Sequence, residues 1–560
     1  MSDEATAPTR ILILGGYGVF GGRLAHLLSD LTEVELLIAG RDRDRADAFC
    51  THYAGPARVR PVVLDRADIV AGLAAHRPDL VVDASGPFQD YGADRYHVIA
   101  ACIAARVDYL DFADAADFVA GVAQFDADAK AAGVFVLSGV SSFPVLTAAV
   151  LRELAKGMDI ASVEGGIAPS PYAGIGLNVM RAVVGYAGSP VKLWRDGRPA
   201  HGIGLAESRR FTIAPPGRLP LHNIRFSLVD VPDLQVIPPE HPTMTDIWMG
   251  AGPVPEVLHR ILNMLAKVRS SFRLPSLAPF ARLFYAVLNR MRFGEHRGGM
   301  FVRARGTANG RPVERSWHLL AEGDDGPYIP SMAVEAIVRK LLAGDRPHSG
   351  ARSAVRALEL ADYDALFRGR NIQSGFRSDE TDDGPLYRRV LGPAFTSLPP
   401  RLQDLHDTAT ARQWTGFADV RRGRGLLAAL TAKLVGFPEA ATQIPVSVSF
   451  KPEGDAELWI RRFGDKAFSS VQSVGRGRDA HLLVERFGIA SFALALVVEG
   501  DRLLLIPRRW SLLGIPMPTT LLPRGLSFET QRNGEFCFDV EIAMPVIGLI
   551  VAYRGTLRPA

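Results

Sequence analysis

Cysteine and lysine are both scarce in this chain. Its 560 residues include three cysteines, Cys50, Cys102 and Cys537, odd in number and far apart, so neither a disulfide framework nor a clustered zinc site is expected. A reducing cytoplasm fits that usage. Eight lysines stand among 64 basic residues, and 60 acids bring the net charge to +4, too thin a balance for a nucleic-acid footprint. No nucleic-acid partner is expected. Long apolar runs are missing too: the stretch 542–553 has 12 residues broken by Pro545 and Gly548, against about 20 needed to cross a bilayer. No transmembrane helix is expected, and the first ten residues, with two acids and no apolar run, do not read as a secretory signal. Neither H-E-x-x-H, G-x-S-x-G nor C-x-x-C occurs, which removes the commonest zinc-hydrolase, serine-hydrolase and dithiol chemistries. No tyrosine has a lysine four residues later, so a phenol activated by a neighbouring ammonium is not available either.

What is present is a globular composition, 48% hydrophobic and 22% charged, in a chain long enough for three to five domains at roughly 100 to 200 residues each. Short apolar runs at 11–14, 34–39, 59–64, 80–84, 109–112 and 134–137 alternate with segments of helical periodicity. That alternation predicts an α/β fold, a Rossmann-type doubly wound parallel sheet, over 1–150, with 330–375 returning to it. Residues 151–330 read as a second, α+β lobe on a mostly antiparallel sheet. The acidic SDETDDG at 378–384 marks a linker within 376–388. Eight short apolar runs separated by Gly, Asp and Pro then predict a β-rich barrel or sandwich over 389–560.

The glycines of GGYGVFGG carry the first chemical signal. Gly16, Gly18 and Gly21, with Tyr17, Val19 and Phe20 between them, fit G-x-G-x-x-G directly after a strand and opening a helix. In that context Gly16 serves the tight turn, Gly18 the approach of a pyrophosphate and Gly21 the helix-to-strand packing. A nicotinamide dinucleotide is the expected ligand. The second strand ends at Gly40 without a carboxylate; Arg41 and Arg43 follow and can pair with a 2′-phosphate, which favours NADP(H). The other reading leaves Arg41 solvated and gives a ribose diol to Asp42.

Taken in order, GGYGVFGG, AGR at 39–41, DASGPFQDYG at 83–92, CIAARVDYLDFAD from Cys102 and GVSSFP at 139–144 resemble the saccharopine dehydrogenase-like oxidoreductases, over about residues 10–375. From LYRRVLGPAFTSLP, near Tyr387, the chain resembles a family known only as a domain of unknown function. The first resemblance implies that Ser85, Gly86, Pro87 and Phe88 border the nicotinamide riboside, although Gly86-Pro87 also reads as a plain turn. Asp111, Asp114, Ser141 and Ser142 fall at the next strand ends, as cleft walls or as helix caps. The single lysine of the first lobe, Lys130, lies away from the strand ends, which argues against saccharopine itself as substrate. Tyr91, Cys102, Tyr109 and Tyr172 are the candidate proton donors, Tyr91 foremost as the catalytic residue; His97 reads as a packing or surface residue.

Residues 254–293 add a second signal. Val257, Leu258, Ile261, Leu262, Leu265 and Val268, then Phe280, Leu283, Phe284, Val287, Leu288 and Met291, form two apolar stripes, with seven basic residues against Glu256 alone. Such helices suit peripheral contact with a membrane, and equally a sheet cover or a homodimer interface. The leading reading is an NADP(H)-dependent oxidoreductase reducing an apolar, lipid-linked or carrier-bound carbonyl or activated alkene, cytoplasmic or peripheral at the inner membrane face. Relatives of similar build implied by the resemblance include a trans-acting enoyl reductase of lipid assembly. The rival is a non-catalytic nucleotide-fold protein that binds lipid or a membrane surface. Arg461, Arg462, Arg486, Arg508 and Arg509 in the last domain read either as lining an anion-accepting cavity or as a solvated sheet face.

Overall fold

The computed structural model describes residues 8–174, 176–253, 256–290, 293–381, 384–408 and 410–560. The chain divides into two compact units, one of Met1–Arg209 with Arg225–Gln373 and the other of Arg210–Ile224 with Ser374–Ala560. In the first unit the apolar runs become β1 (Thr9–Leu14), β2 (Val34–Gly40), β3 (Arg58–Val63), β4 (Leu80–Asp83), β5 (Asp108–Asp111) and β6 (Phe135–Ser138). They form one sheet with a seventh strand, Gly350–Ser353, in the order 350–353, β6, β5, β4, β1, β2, β3. Every pairing in it is parallel. Helices cover both faces, so Ile11, Leu12 and Ile13 are all fully buried and the run is continuously apolar rather than alternating. The order of connection reverses between β1 and β4, and the crevice there lies outside the carboxyl ends of the strands. Helix α1 (Val19–Leu27) follows β1, and α2 (Arg43–Thr51) follows β2.

A second sheet in this unit is mixed. At its centre β7 (Asp159–Ala168) runs parallel to β8 (Asp246–Ala251) and antiparallel to β9 (Arg297–Ala308), which pairs in turn with β10 (Arg311–Glu322). Three helices accompany it: α3 (Leu177–Tyr186), α4 (Glu256–Phe272) and α5 (Ala281–Arg290). The two apolar stripes expected between 254 and 293 do not each face one way. Leu258 and Leu262 of α4 and Phe284 and Leu288 of α5 turn inward, whereas Val257, Ile261, Val268 and Leu283 stay exposed. Met291 and Arg292, counted in those stripes and their charge, lie outside the described residues, as does Val254, where the stretch begins. Not all the cations are available to a surface: Arg269 donates to the carbonyls of Gly185 and Ala187, and Arg260 pairs with Glu256. Among the described residues no helix is long and apolar enough to cross a membrane.

In the second unit ten antiparallel strands close into a barrel. They are Arg412–Arg422, Ala441–Glu453, Ala456–Phe463, Lys466–Val474, Leu483–Phe487, Ala490–Glu499, Arg502–Leu512, Ser527–Arg532, Glu535–Met544 and Gly548–Pro559. Closure is complete because Gly548–Pro559 pairs with Arg412–Arg422 and Ala490–Glu499 pairs with Arg502–Leu512. A short helix, α6 (Leu426–Val435), follows the first strand. Two strands were not apparent as apolar runs. Lys466–Val474 turns Ser470 and Gln472 inward, and Arg412–Arg422 buries only Trp414, Ala418 and Val420, so neither alternates cleanly.

The unit also begins before residue 389, and the expected linker 376–388 is shorter than its acidic composition suggested. Arg377 donates to the carbonyls of Ala214 and Val390, and Leu386 and Tyr387 are 3% and 0% exposed in the barrel's core. The Leu386 N–H and the Thr408 hydroxyl both donate to Glu457. Leu386→Ala is therefore expected to cost about 2 to 5 kcal/mol, as for a core leucine. Chemical denaturation followed by tryptophan fluorescence measures it; a change within about 0.5 kcal/mol, the scale of surface substitutions, would return this residue to a linker.

Candidate active site

The site is built where the turn after β1 meets the chain after β4. Gly15 is left-handed, at φ +74°, and a Cβ there would lie 2.8 Å from the Ala84 carbonyl oxygen and 3.1 Å from the Ser85 Cα. The tight-turn role expected of Gly16 thus falls to Gly15. Gly16 is required for another reason, since its Cβ would stand 2.9 Å from the Ile13 oxygen and 3.0 Å from the Ile38 Cα. A Cβ on Gly21 would be 2.5 Å from the Gly15 oxygen, so α1 packs directly on the turn. Gly18 is the N-cap of α1, with no side chain capping the helix. The amides of the first turn and the positive end of the helix dipole can therefore receive a pyrophosphate.

The end of β2 is shaped by Tyr17. Its ring lies across Gly40, where a Cβ would come within 2.3 Å of the phenol oxygen, and that oxygen accepts the Asp42 N–H at 3.0 Å. The Asp42 carboxylate caps α2 by accepting the Arg45 N–H at 3.1 Å. That cap uses its Oδ1. Arg41 and Arg43 are exposed, and Arg45 sits 4.8 Å over the Tyr17 ring. Arg45 was not singled out in the sequence, although the alternation in RDRDR was the available sign.

At the end of β4, the fully buried Asp83 holds Ser85 in place. Its Oδ1 accepts the Ser85 N–H at 3.0 Å and the Ser85 hydroxyl at 2.5 Å, while Arg66 Nε donates to Oδ2 at 3.3 Å. With the Ser85 hydrogen pointing to Asp83, Tyr91 donates to Ser85 Oγ at 2.8 Å. The Arg66 guanidinium lies 3.7 Å from the Tyr91 ring centroid, and burial together with Asp83 pushes the phenol's pKa well up. Tyr91 thus holds its proton in a packed Tyr91–Ser85–Asp83 chain. The other candidate donors fare differently: Cys102 and Tyr109 are core residues with no exposure, and Tyr172 packs against His296 at 4.6 Å. The Gly86 carbonyl accepts from Asn178 of α3 at 2.7 Å, and Phe88 packs edge-on against Tyr91 and Phe118.

Asp111, at the end of β5, is completely buried and accepts from the Ala113 and Gly139 amides and the Ser138 hydroxyl. It ties the ends of β5 and β6 together, and burial raises its pKa to about 7. Asp114 accepts from Gln89, and burial raises its pKa as well.

Beside the nucleotide turn opens a cavity of about 570 Å³. Val19 and Phe20 of α1 form one end, Ile167, Ala168 and Met300 of the second sheet form the floor, and α3, α4 and α5 form the walls. Its lining is almost wholly apolar. Ser142 is part of it, as are three polar residues the sequence did not mark, Arg23, Ser170 and His259. His259 is 3% exposed, and burial lowers its pKa to about 4, so its imidazole is neutral at physiological pH. Ile261, Leu283 and Val287 line the cavity and are also exposed, which places its mouth at α4 and α5. Among the described residues no group of three His, Cys, Asp or Glu side chains is placed to hold a metal.

A doubly wound sheet with a glycine turn, an uncapped helix and an apolar cavity beside it is the framework of an NAD(P)-dependent oxidoreductase. Residues 11–137 match the family model of the saccharopine dehydrogenase NADP binding domain, and residues 398–557 match a domain of unknown function, DUF4166. The chain is a fusion of these two families' domains. No curated protein matches it. Among solved structures it is similar to an amine dehydrogenase from Mycobacterium smegmatis, at 12% identity over 62% of this chain and 95% of that one, TM-score 0.33. It is also similar to the DAP dehydrogenase of C. glutamicum, at 14% identity over 64% and 99%, TM-score 0.30.

The burial of Asp111 has a consequence for stability. Its folded pKa of about 7 exceeds the unfolded value near 4, so the folded chain holds a proton that the unfolded chain releases between those limits. The stability this proton confers is complete below about pH 4 and is lost as pH rises through about 7. The melting temperature of wild type should accordingly fall between pH 5 and 8, and Asp111→Asn should flatten that fall. An unaltered slope in the variant would show that Asp111 is ionised throughout.

Proposed function

We propose that the protein uses NADP(H) to reduce an apolar substrate, a lipid-linked or carrier-bound carbonyl or activated alkene. The observation that carries this reading is the apolar cavity that begins at Val19 and Phe20 of the nucleotide turn and ends at an exposed apolar mouth. Ligand sites of this size are lined mainly by apolar side chains with a few polar groups that fix orientation. Here Arg23, Ser142, Ser170 and His259 supply those groups, and neutral His259 can donate a hydrogen bond to a carbonyl oxygen. The nicotinamide, when bound, would supply the hydride, and water reaching the cavity through its mouth at α4 and α5 would supply the matching proton. The residues of the chain bind and orient: Gly18 and the first turn of α1 admit the pyrophosphate on a turn that Gly16 and Gly21 allow to pack, Ser85 to Phe88 border the riboside, and Arg41 and Arg43 meet the 2′-phosphate while Asp42 caps α2.

The preference for NADPH is expected to rest on Arg41. Replacing it with Ala should weaken NADPH binding by about 1.5 to 3 kcal/mol, the scale of a hydrogen bond to a charged group, and leave NADH binding nearly unchanged. Isothermal titration of both nucleotides measures this; equal loss for both would remove the 2′-phosphate contact.

The exposed Val257, Ile261, Val268 and Leu283, with Lys267, Arg273, Arg282 and Arg290 nearby, support a peripheral membrane contact at the cavity mouth. Substrate would enter from the lipid phase. Purified protein with NADPH should therefore oxidise the nucleotide when given a bacterial lipid extract, and Met180→Trp, which fills the cavity beside α3, should suppress turnover while NADPH still binds. The packed state of Tyr91, Cys102 and Tyr109 favours a second reading, a nucleotide-fold protein that binds lipid without chemistry. Lipid binding without any NADPH oxidation would select it.

A further inference from the structure

The closed barrel of the second unit encloses a cavity of about 730 Å³, larger than the one beside the nucleotide turn. Protein interiors hold few voids larger than a water molecule, so a space of this size in the centre of a core is not a packing defect. Barrels wider than those filled by their own side chains enclose ligand cavities, and the volume falls within the range of small-molecule sites. The walls are built for a hydrocarbon. Val446, Val448, Phe463, Leu494, Leu505 and Val540 face the space, from strands on every side of the barrel.

A few polar groups interrupt that lining. Arg461 donates to Ser470 and to Glu485, and stands 4.9 Å from the Trp459 ring. Gln472 donates to the same carboxylate. The Oε1 of Gln472 and the phenol oxygen of Tyr387 are buried without a hydrogen-bond partner, although both residues border the cavity. A buried polar atom left unpaired is costly unless something can complete it. The charges in the lining do not call for an anion. Glu485, Glu529 and Glu541 stand against Arg461 and Arg524, and Arg461 is already paired, so a carboxylate head would enter a lining with more acid than base. A head that is uncharged and can both donate and accept suits Gln472 and Tyr387. The mouth is apolar too: Leu434 of α6 and Ile489 line the cavity and are 80% and 54% exposed.

We infer that the barrel is a binding site for a long-chain lipid with an uncharged oxygen head, such as an alcohol. The full chain, freed of lipid by organic extraction and refolding or by passage over a hydrophobic resin, should bind Nile red with a blue-shifted emission. Hexadecanol should displace the dye, at lower concentration than palmitate does. Leu505→Trp and Val540→Trp, which fill the lumen, should each weaken hexadecanol binding at least tenfold while leaving NADPH affinity unchanged. Should either fail to fold by circular dichroism, Gln472→Leu serves instead: it keeps the chain's room and should reduce the preference for hexadecanol over hexadecane. Palmitate displacing the dye better than hexadecanol would overturn the uncharged head. Hexadecanol binding unchanged in a folded lumen-filling variant would overturn the barrel site itself, and an unchanged alcohol preference in Gln472→Leu would overturn the uncharged head.

Discussion

Everything at the nucleotide crevice depends on how closely the turn after β1 approaches the chain after β4. At Gly15 the two backbones come so near that a single added carbon would stand 2.8 Å from the Ala84 oxygen. This contact brings the amino end of α1 and the Ser85 segment to the same crevice, at the point where the sheet's order of connection reverses. A looser turn would separate the amino end of α1 from the Ser85 segment. Gly21 adds the second half of the constraint, because without it the helix could not rest on the turn.

Around that contact, buried charge sets positions rather than performing chemistry. Asp83 is held by Arg66 and in turn holds Ser85 and, through it, Tyr91. Asp111 holds the ends of β5 and β6. Both side chains are fully buried at strand ends. The Oδ1 of each accepts from backbone amide and hydroxyl groups, Asp83 Oδ2 accepts from Arg66, and Asp111 Oδ2 has no hydrogen-bond partner. Such a frame is rigid, and it leaves the apolar cavity wall to be supplied by the second sheet and the three helices packed near it. The second unit repeats the theme with a different architecture: a continuous ring of strands, a largely apolar interior and a small cluster of paired polar groups.

Much of this was legible in the sequence because it rests on local pattern. Most of the first six strands of the parallel sheet are short apolar runs, β3 with its two arginines being the weakest, and the glycine turn follows the first of them directly. The seventh strand, Gly350–Ser353, is four residues long and joins the sheet only after the chain has built another lobe, so no local signal marked it as more than a closing strand or loop. The barrel was legible as a class but not as a closed ring, because its strand through Ser470 and Gln472 carries inward polar groups and breaks the alternation. The division of labour between Gly15 and Gly16 could not be read from spacing, since only Gly16 fits the G-x-G-x-x-G spacing while the left-handed backbone angle belongs to Gly15. The two amphipathic stripes gave a correct periodicity and an incomplete meaning: each helix is apolar over an arc wide enough to face a cavity and solvent at once. His259 was hidden because it falls outside both stripes, on a buried strip of its helix that it shares with Asn263 and Ala266.

The central claim is that a nicotinamide dinucleotide lies along the crevice between the turn after β1 and the chain after β4. Hydrogen–deuterium exchange of the full chain, with and without saturating NADPH, measures this segment by segment. Slowed exchange is expected over residues 15–22, 40–45 and 84–91, with the barrel strands unchanged. Protection confined to other segments, or none at concentrations where the nucleotide is bound, would contradict it.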